Sequence, residues 1–146
     1  MITYETKTSI EKPLKEVYEA ISDPTRVKHW LQGLEKLEPI SGTPMQAGFK
    51  SKYTFVENGR TAIFHEEMTA VSPYESFTYI LESDSLTMEG HTQMGHKNGK
   101  TELTVSNKVK GKTLGMKIMM PFLKGMMRKR QIQDFARFKA MLEGNG

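Results

Sequence analysis

Glu66 is the side chain whose neighbours best suit it to acid–base chemistry. It shares a two-residue period with Phe64 and Met68, so on a strand all three point to one face. If that face is the inner one, a carboxylate sits in apolar surroundings. Desolvation then raises its pKa, and it becomes a candidate general acid or base. The opposite face, Ile63, His65, Glu67 and Val71, is about equally apolar. The pattern therefore leaves two registers open, with a solvated or paired rim glutamate as the alternative. Tyr79 is the second candidate for guiding proton transfer; beyond these two no catalytic residue is assigned. Tyr53, Tyr79 and Asn107 could supply convergent polar groups to a ligand, or find partners inside the protein. The histidines, His29, His65, His91 and His96, lack the converging spacing that a metal site needs. No metal is expected. Nucleophile elbows, phosphate loops and dinucleotide fingerprints are missing, and no cofactor is expected.

Around these polar groups lie Tyr53, Phe55, Phe64, Phe77 and Tyr79, with Met68, Met88 and Met94. They read either as the wall of a cavity for a flat or greasy ligand, with methionines letting it adapt, or as plain core. Trp30 fills core at a helical corner or borders the cavity mouth.

The elements that must position them can be read along the chain. Pro13 suits a first helical position, and Leu14, Val17, Tyr18 and Ile21 form one apolar stripe. Pro24 turns Asp23 away from the helical region. Asp23 then caps a second short helix carrying Val27, Trp30 and Leu31, with Gly33 just past its end. From there the period becomes 2. Strands are predicted over Leu34–Ser41, around Phe49–Phe55, over Thr61–Val71, around Phe77–Leu81, over Leu86–His96 and around Leu103–Val109. Asn58-Gly59, Ser72-Pro73-Tyr74, Glu82–Ser85 and Lys97–Lys100 supply the turns. Such short turns require antiparallel pairing. The order is one strand, two short helices, about six strands and one long helix, which would lie across the concave face of the twisted sheet.

That last helix is unusual. From Lys108 to Arg130 there are eight basic residues and no acidic one. Met116, Met119, Met120, Met126 and Met127 join Leu114, Ile118, Phe122 and Leu123 in an apolar arc wider than half the circumference. Ile132, Phe135, Phe138 and Leu142 form a differently directed stripe, so a kink or break is predicted at Pro121. The first half is expected to meet apolar matter on more than one side. Ile118, Met119, Phe122 and Met126 are candidate ligand contacts. The basic face could instead be plain solvated surface, a peripheral membrane contact, or a partner or self-association surface. Nucleic acid is not expected, since aromatics are not interleaved with the basic residues.

The 146 residues suit one domain. A charged fraction of 26% and a hydrophobic fraction of 37% belong to an ordinary folded chain. No apolar run approaches the ~20 residues of a membrane span, and Met1 leads straight into strand-like ITYETKTSI, so no leader is expected. Without cysteine there is no disulfide or thiol chemistry. A cytoplasmic monomer or homodimer is expected.

The opening IEKPLKEVYEAISDPTRVKHWLQG, with its D-P-x-x-x-x-x-W run from Asp23-Pro24 to Trp30, resembles the SRPBCC superfamily, the START or Bet v 1-like helix-grip proteins. EMTAVSPYESFTYIL (Glu67 to Leu81) and the closing DFARFKAMLEG (Asp134 to Gly144) are similar to that group's strand–Pro–strand corner and final helix end. More narrowly, the chain resembles bacterial polyketide cyclase/dehydrase and lipid-transport proteins over essentially its whole length. The resemblance implies an α+β helix grip, β-α-α-β6-α. In it a curved antiparallel sheet of about seven strands wraps a long C-terminal helix around an apolar cavity. A hydrophobic or amphipathic small molecule, or a lipid, is the implied partner. The same group hosts binders, carriers and enzymes, so fold alone does not choose among them.

Overall fold

The structure, a computed structural model, describes residues 1–144. Strand β1 (Ile2–Ile10) is followed by helix α1 (Leu14–Ile21) and a 3₁₀ turn (Val27–His29). Strands β2 (Leu34–Ser41), β3 (Lys50–Glu57), β4 (Arg60–Ser72), β5 (Ser76–Glu82), β6 (Leu86–Lys97) and β7 (Lys100–Gly111) come next, then helix α2 (Leu114–Glu143). The seven strands form one antiparallel sheet in the order β1-β7-β6-β5-β4-β3-β2. The first two strands thus occupy opposite edges, and α1 with the 3₁₀ turn carries the chain from one edge to the other. This is the expected α+β helix grip.

The turns form as their residues dictate. Asn58 and Gly59 have φ of 51° and 76°, and Asn98 and Gly99 have 53° and 77°, the doubly left-handed pair of a type I′ hairpin. Register shifts at Leu34/Lys36, Pro39/Ser41 and Met68/Ala70 mark irregularities that add curvature on the β2–β5 side.

Two expectations are corrected. The second short helix contracts to the 3₁₀ turn. Asp23 does not cap it: its Oδ1 accepts from Thr25 N at 2.9 Å in the bend before the turn, and the turn's own N-cap, Arg26, makes no side-chain capping bond. The following bonds are mostly i→i−3, from His29 N to Arg26 O and from Trp30 N to Val27 O, and Trp30 leaves the helical region at φ −126°. The tighter turn drops both Val27 and Trp30 into the core. Second, the break half of the expectation at Pro121 fails: α2 runs on as one helix through that residue. Pro121 and Lys117 are both exposed, so the Lys117 carbonyl that loses its amide partner lies on the solvent side.

The main core lies under the C-terminal half of α2, where Phe138 meets Ile10, Val17, Leu103 and Val105. A smaller cluster of Tyr4, Leu86, Val109 and Met120 supports the N-terminal half. That half is covered on one side only. Thr113 caps its start by accepting from Met116 N at 3.1 Å.

Candidate functional site: a cavity between the sheet and the C-terminal helix

Register places the functional side chains. Met68 pairs with Tyr79, Tyr79 with Gly90, Gly90 with Asn107 and Asn107 with Tyr4. One row of inward positions therefore crosses β4, β5, β6, β7 and β1. A parallel row sets Ser51 opposite Glu66, Leu81 and Met88. Gly90 has a specific job here. A Cβ on it would lie 2.4 Å from Tyr79 Cζ, so only glycine lets the Tyr79 ring lie across β6.

These rows and α2 enclose a cavity of about 850 Å³. Its register settles the question about β4: Phe64, Glu66 and Met68 all face inward and line it. Trp30, Tyr53, Phe55, Phe77, Tyr79, Met88 and Met126 are also on its wall. Five candidate contacts lie elsewhere. Met94 sits farther along β6 in the packed core beneath α1 and the end of α2. Asn107 is on the inner face but covered, 2% exposed, and its amide N and O have no hydrogen-bond partner among the described residues. Ile118, Met119 and Phe122 point outward, because Met120 on the opposite side of the helix takes the contact with the sheet.

Glu66 is the chemical centre. Tyr53 Oη donates to its Oε1 at 3.0 Å, and no hydrogen bond from the described residues reaches its Oε2. Burial raises its pKa to about 7, the Tyr53 hydrogen bond offsetting part of the rise. Near neutrality it is therefore divided between acid and carboxylate. Burial, and then the Glu66 charge, holds both Tyr53 and Tyr79 well above the usual phenol range. Tyr4 is pushed up to about 12 by burial. The phenols accordingly stay protonated, and Tyr53 uses its proton to donate to Glu66.

A second polar set holds the cavity's rim. Arg130 forms a bidentate pair with Glu57 and donates to Gln32 O at 2.7 Å. That pairing lowers the Glu57 pKa. Asp134 accepts from Gln32 N at 3.1 Å and pairs with Arg137, which also reaches Trp30 O at 3.2 Å. Burial still raises its pKa. Of the carboxyls lining the cavity, Glu66 is thus the one without a basic partner among the described residues. Of the exposed lining residues, Asn58, Arg60, Ala62 and Met126 mark an opening between the β3–β4 hairpin and the middle of α2, and Pro24 and Pro44 lie at a second exposed edge, before the 3₁₀ turn and in the β2–β3 loop.

Tyr4, Arg130 and Gln131 line the cavity without having been singled out by their sequence pattern. Tyr4 had a signal, its period-2 spacing with Ile2 and Thr6. Arg130 was hidden inside a basic run that looked solvated.

Among the described residues no three histidine, aspartate or glutamate side chains gather as a metal ion would need. His91 Nδ1 instead meets Thr78 Oγ1 at 2.8 Å.

The family model described as polyketide cyclase / dehydrase and lipid transport matches residues 1–143. The chain belongs to this family. Solved structures agree in fold. A Rhodobacter sphaeroides protein superposes with a TM-score of 0.77 at 13% identity, over 99% of this chain and 93% of that one. Ara h 8.0201 gives 0.69 at 14%, over 94% and 97%. DynU16, described as a putative protein in the dynemicin biosynthetic locus, gives 0.71 at 21%, over 97% of this chain and 47% of that one. At these identities the likeness concerns the fold. No curated protein matches the chain. Among the described residues no helix is long and apolar enough to cross a membrane.

Proposed function

We propose that the protein binds, and carries, a hydrophobic or amphipathic small molecule in the cavity between the sheet and α2. The supporting observation is the cavity itself. Its roughly 850 Å³ falls within the usual range for small-molecule sites. Its wall is mostly aromatic, Met and Leu, with one carboxyl that lacks a basic partner. A ligand with an apolar body and one hydrogen-bonding head fits that arrangement: the body lies against Phe64, Phe77 and Met88, and the head meets Glu66, Tyr53 and Tyr79. The cysteine-free sequence suits a reducing cytoplasm, where this reading places the protein. Native mass spectrometry and organic extraction of the purified protein test it, together with titration by an apolar fluorophore. The expected result is one bound apolar molecule per chain, displaced in Ala62→Trp, which fills the opening. A protein that takes up neither endogenous lipid nor fluorophore overturns the reading.

The Tyr53–Glu66 contact inside the cavity supports a second reading, a cyclase- or dehydratase-like enzyme acting on a polyketide-like substrate. Glu66 would accept a proton from an acidic carbon and Tyr79 would donate to a carbonyl oxygen. Turnover of a polyketone test substrate that is lost in Glu66→Gln while binding is retained supports it. Equal turnover in both proteins sinks it.

A further inference from the structure

The N-terminal half of α2 presents an apolar face that none of the described residues covers. Leu114, Ile118, Phe122 and Met126 recur every four residues, with Met119 beside them. Phe122 is 83% exposed and Leu114 75%. At 1.5 Å per residue the line is about 18 Å long. The helix cannot rotate to hide it, because the opposite side is committed: Met120 is 2% exposed and packs with Tyr4, Leu86 and Val109. Lys117, Lys124 and Arg128 run along one flank of this face, and Lys129 stands at its end. No acidic residue lies between 108 and 130.

We propose that this face docks the protein on an anionic lipid surface, with the helix lying in the interface plane. Apolar side chains flanked by basic ones suit a bilayer's headgroup boundary, where such helices sink roughly 5–10 Å. Charge selects this occupant over a second copy of the chain. Two such faces brought together would oppose their lysines and arginines with no carboxylate on either to pair them. The face continues into the cavity wall through Met126, which is both exposed and on the lining. Docking therefore brings the cavity opening to the membrane. Transfer of a ligand by that route rests on the binding function proposed above; docking does not.

Co-sedimentation of the full chain with vesicles of phosphatidylcholine alone, or with phosphatidylglycerol added, tests the proposal. Each basic residue near an anionic surface contributes about a fivefold gain. Binding to the anionic vesicles should exceed that to neutral ones by at least about tenfold and weaken with salt. Lys117→Glu with Lys124→Glu should lower it by more than about tenfold. Met119→Asp with Phe122→Asp should abolish it, with circular dichroism and melting unchanged. Equal binding to both vesicle types, or full binding by either double variant, overturns the proposal. So does a solution dimer, seen by sedimentation velocity, that Phe122→Asp dissociates. Because protein in the pellet is counted whether or not its cavity is filled, failure here is distinct from failure to bind a ligand.

Discussion

The two halves of α2 are both rich in apolar residues, and their fates differ. In the C-terminal half, Phe135, Phe138 and Leu142 lie at i, i+3 and i+7 and are all at most 7% exposed. Trp30 meets the two phenylalanine rings at 5.3 and 5.0 Å. In the N-terminal half only Met120 is buried, while Phe122 and Leu114 are the most exposed large apolar residues of the pair of halves. A helix laid on a sheet offers one stripe to it. Apolar residues beyond that stripe do not deepen the core. They mark a surface for something else. The polar anchoring differs too. Arg130, Asp134 and Arg137 tie the C-terminal half to residues 30–32, whereas Arg128 Nε to Glu5 O at 3.1 Å is a single exposed bond. The cavity opens where the halves meet.

The largest effect expected from this contrast is at Phe138. It is fully buried and packs on Trp30 and Phe135. Phe138→Ala should cost about 3–5 kcal/mol by removing the ring and leaving a void, read by urea denaturation. A loss under about 1 kcal/mol would mean that the two halves are not packed differently.

Next comes the junction between them. The Glu66 pKa is about 7 in the folded protein against an ordinary 4.5. Between those pH values the folded state binds more protons than the unfolded one, so stability falls as pH rises from about 4.5 to 7 and then levels off. The full effect is on the order of 3 kcal/mol. Glu66→Gln should remove this slope and leave the variant more stable than the parent above pH ~7. Thermal melts of both proteins across that range measure it. Identical profiles would place Glu66 in a wetter site than the cavity wall.

How much of this was legible in the sequence depends on whether the signal was local. Leu34–Ser41 and the Asn-Gly hairpins were readable because alternation and turn chemistry are local properties. The helix expected after Pro24 shrank because Asp23 and Pro24 signal a start but not a length, and burial of Val27 and Trp30 set the rest. The candidate site divides the same way. Glu66 could be named, but its face could not, since β4 is apolar on both sides and only pairing with β3 and β5 fixes the register. Phe122 and Phe138 are alike in type and both on a helix. What separates them is which side of α2 the sheet occupies, a tertiary fact.

A smaller effect tests the anchoring of the C-terminal half. Asp134 is buried and accepts from both Gln32 N and Arg137. Asp134→Ala leaves these donors without their acceptor and should cost about 1–3 kcal/mol, seen as a lower urea midpoint and faster amide exchange at Gln32. Unchanged exchange there would show that the strap does not hold residues 30–32 against the helix.

The smallest effect is the sharpest test of the comparison. At 83% exposure, Phe122 has little intramolecular contact to lose, and its helical position tolerates a polar side chain with only a small propensity difference. Phe122→Ser should therefore change stability by no more than about 0.5 kcal/mol, against several for the same ring at Phe138. It should at the same time reduce binding of the protein to anionic vesicles. A residue that matters little to folding and strongly to docking separates the two roles of one helix. If Phe122→Ser instead destabilised the protein as Phe138→Ala does, the N-terminal half would be core after all, and the uncovered face would lose its meaning.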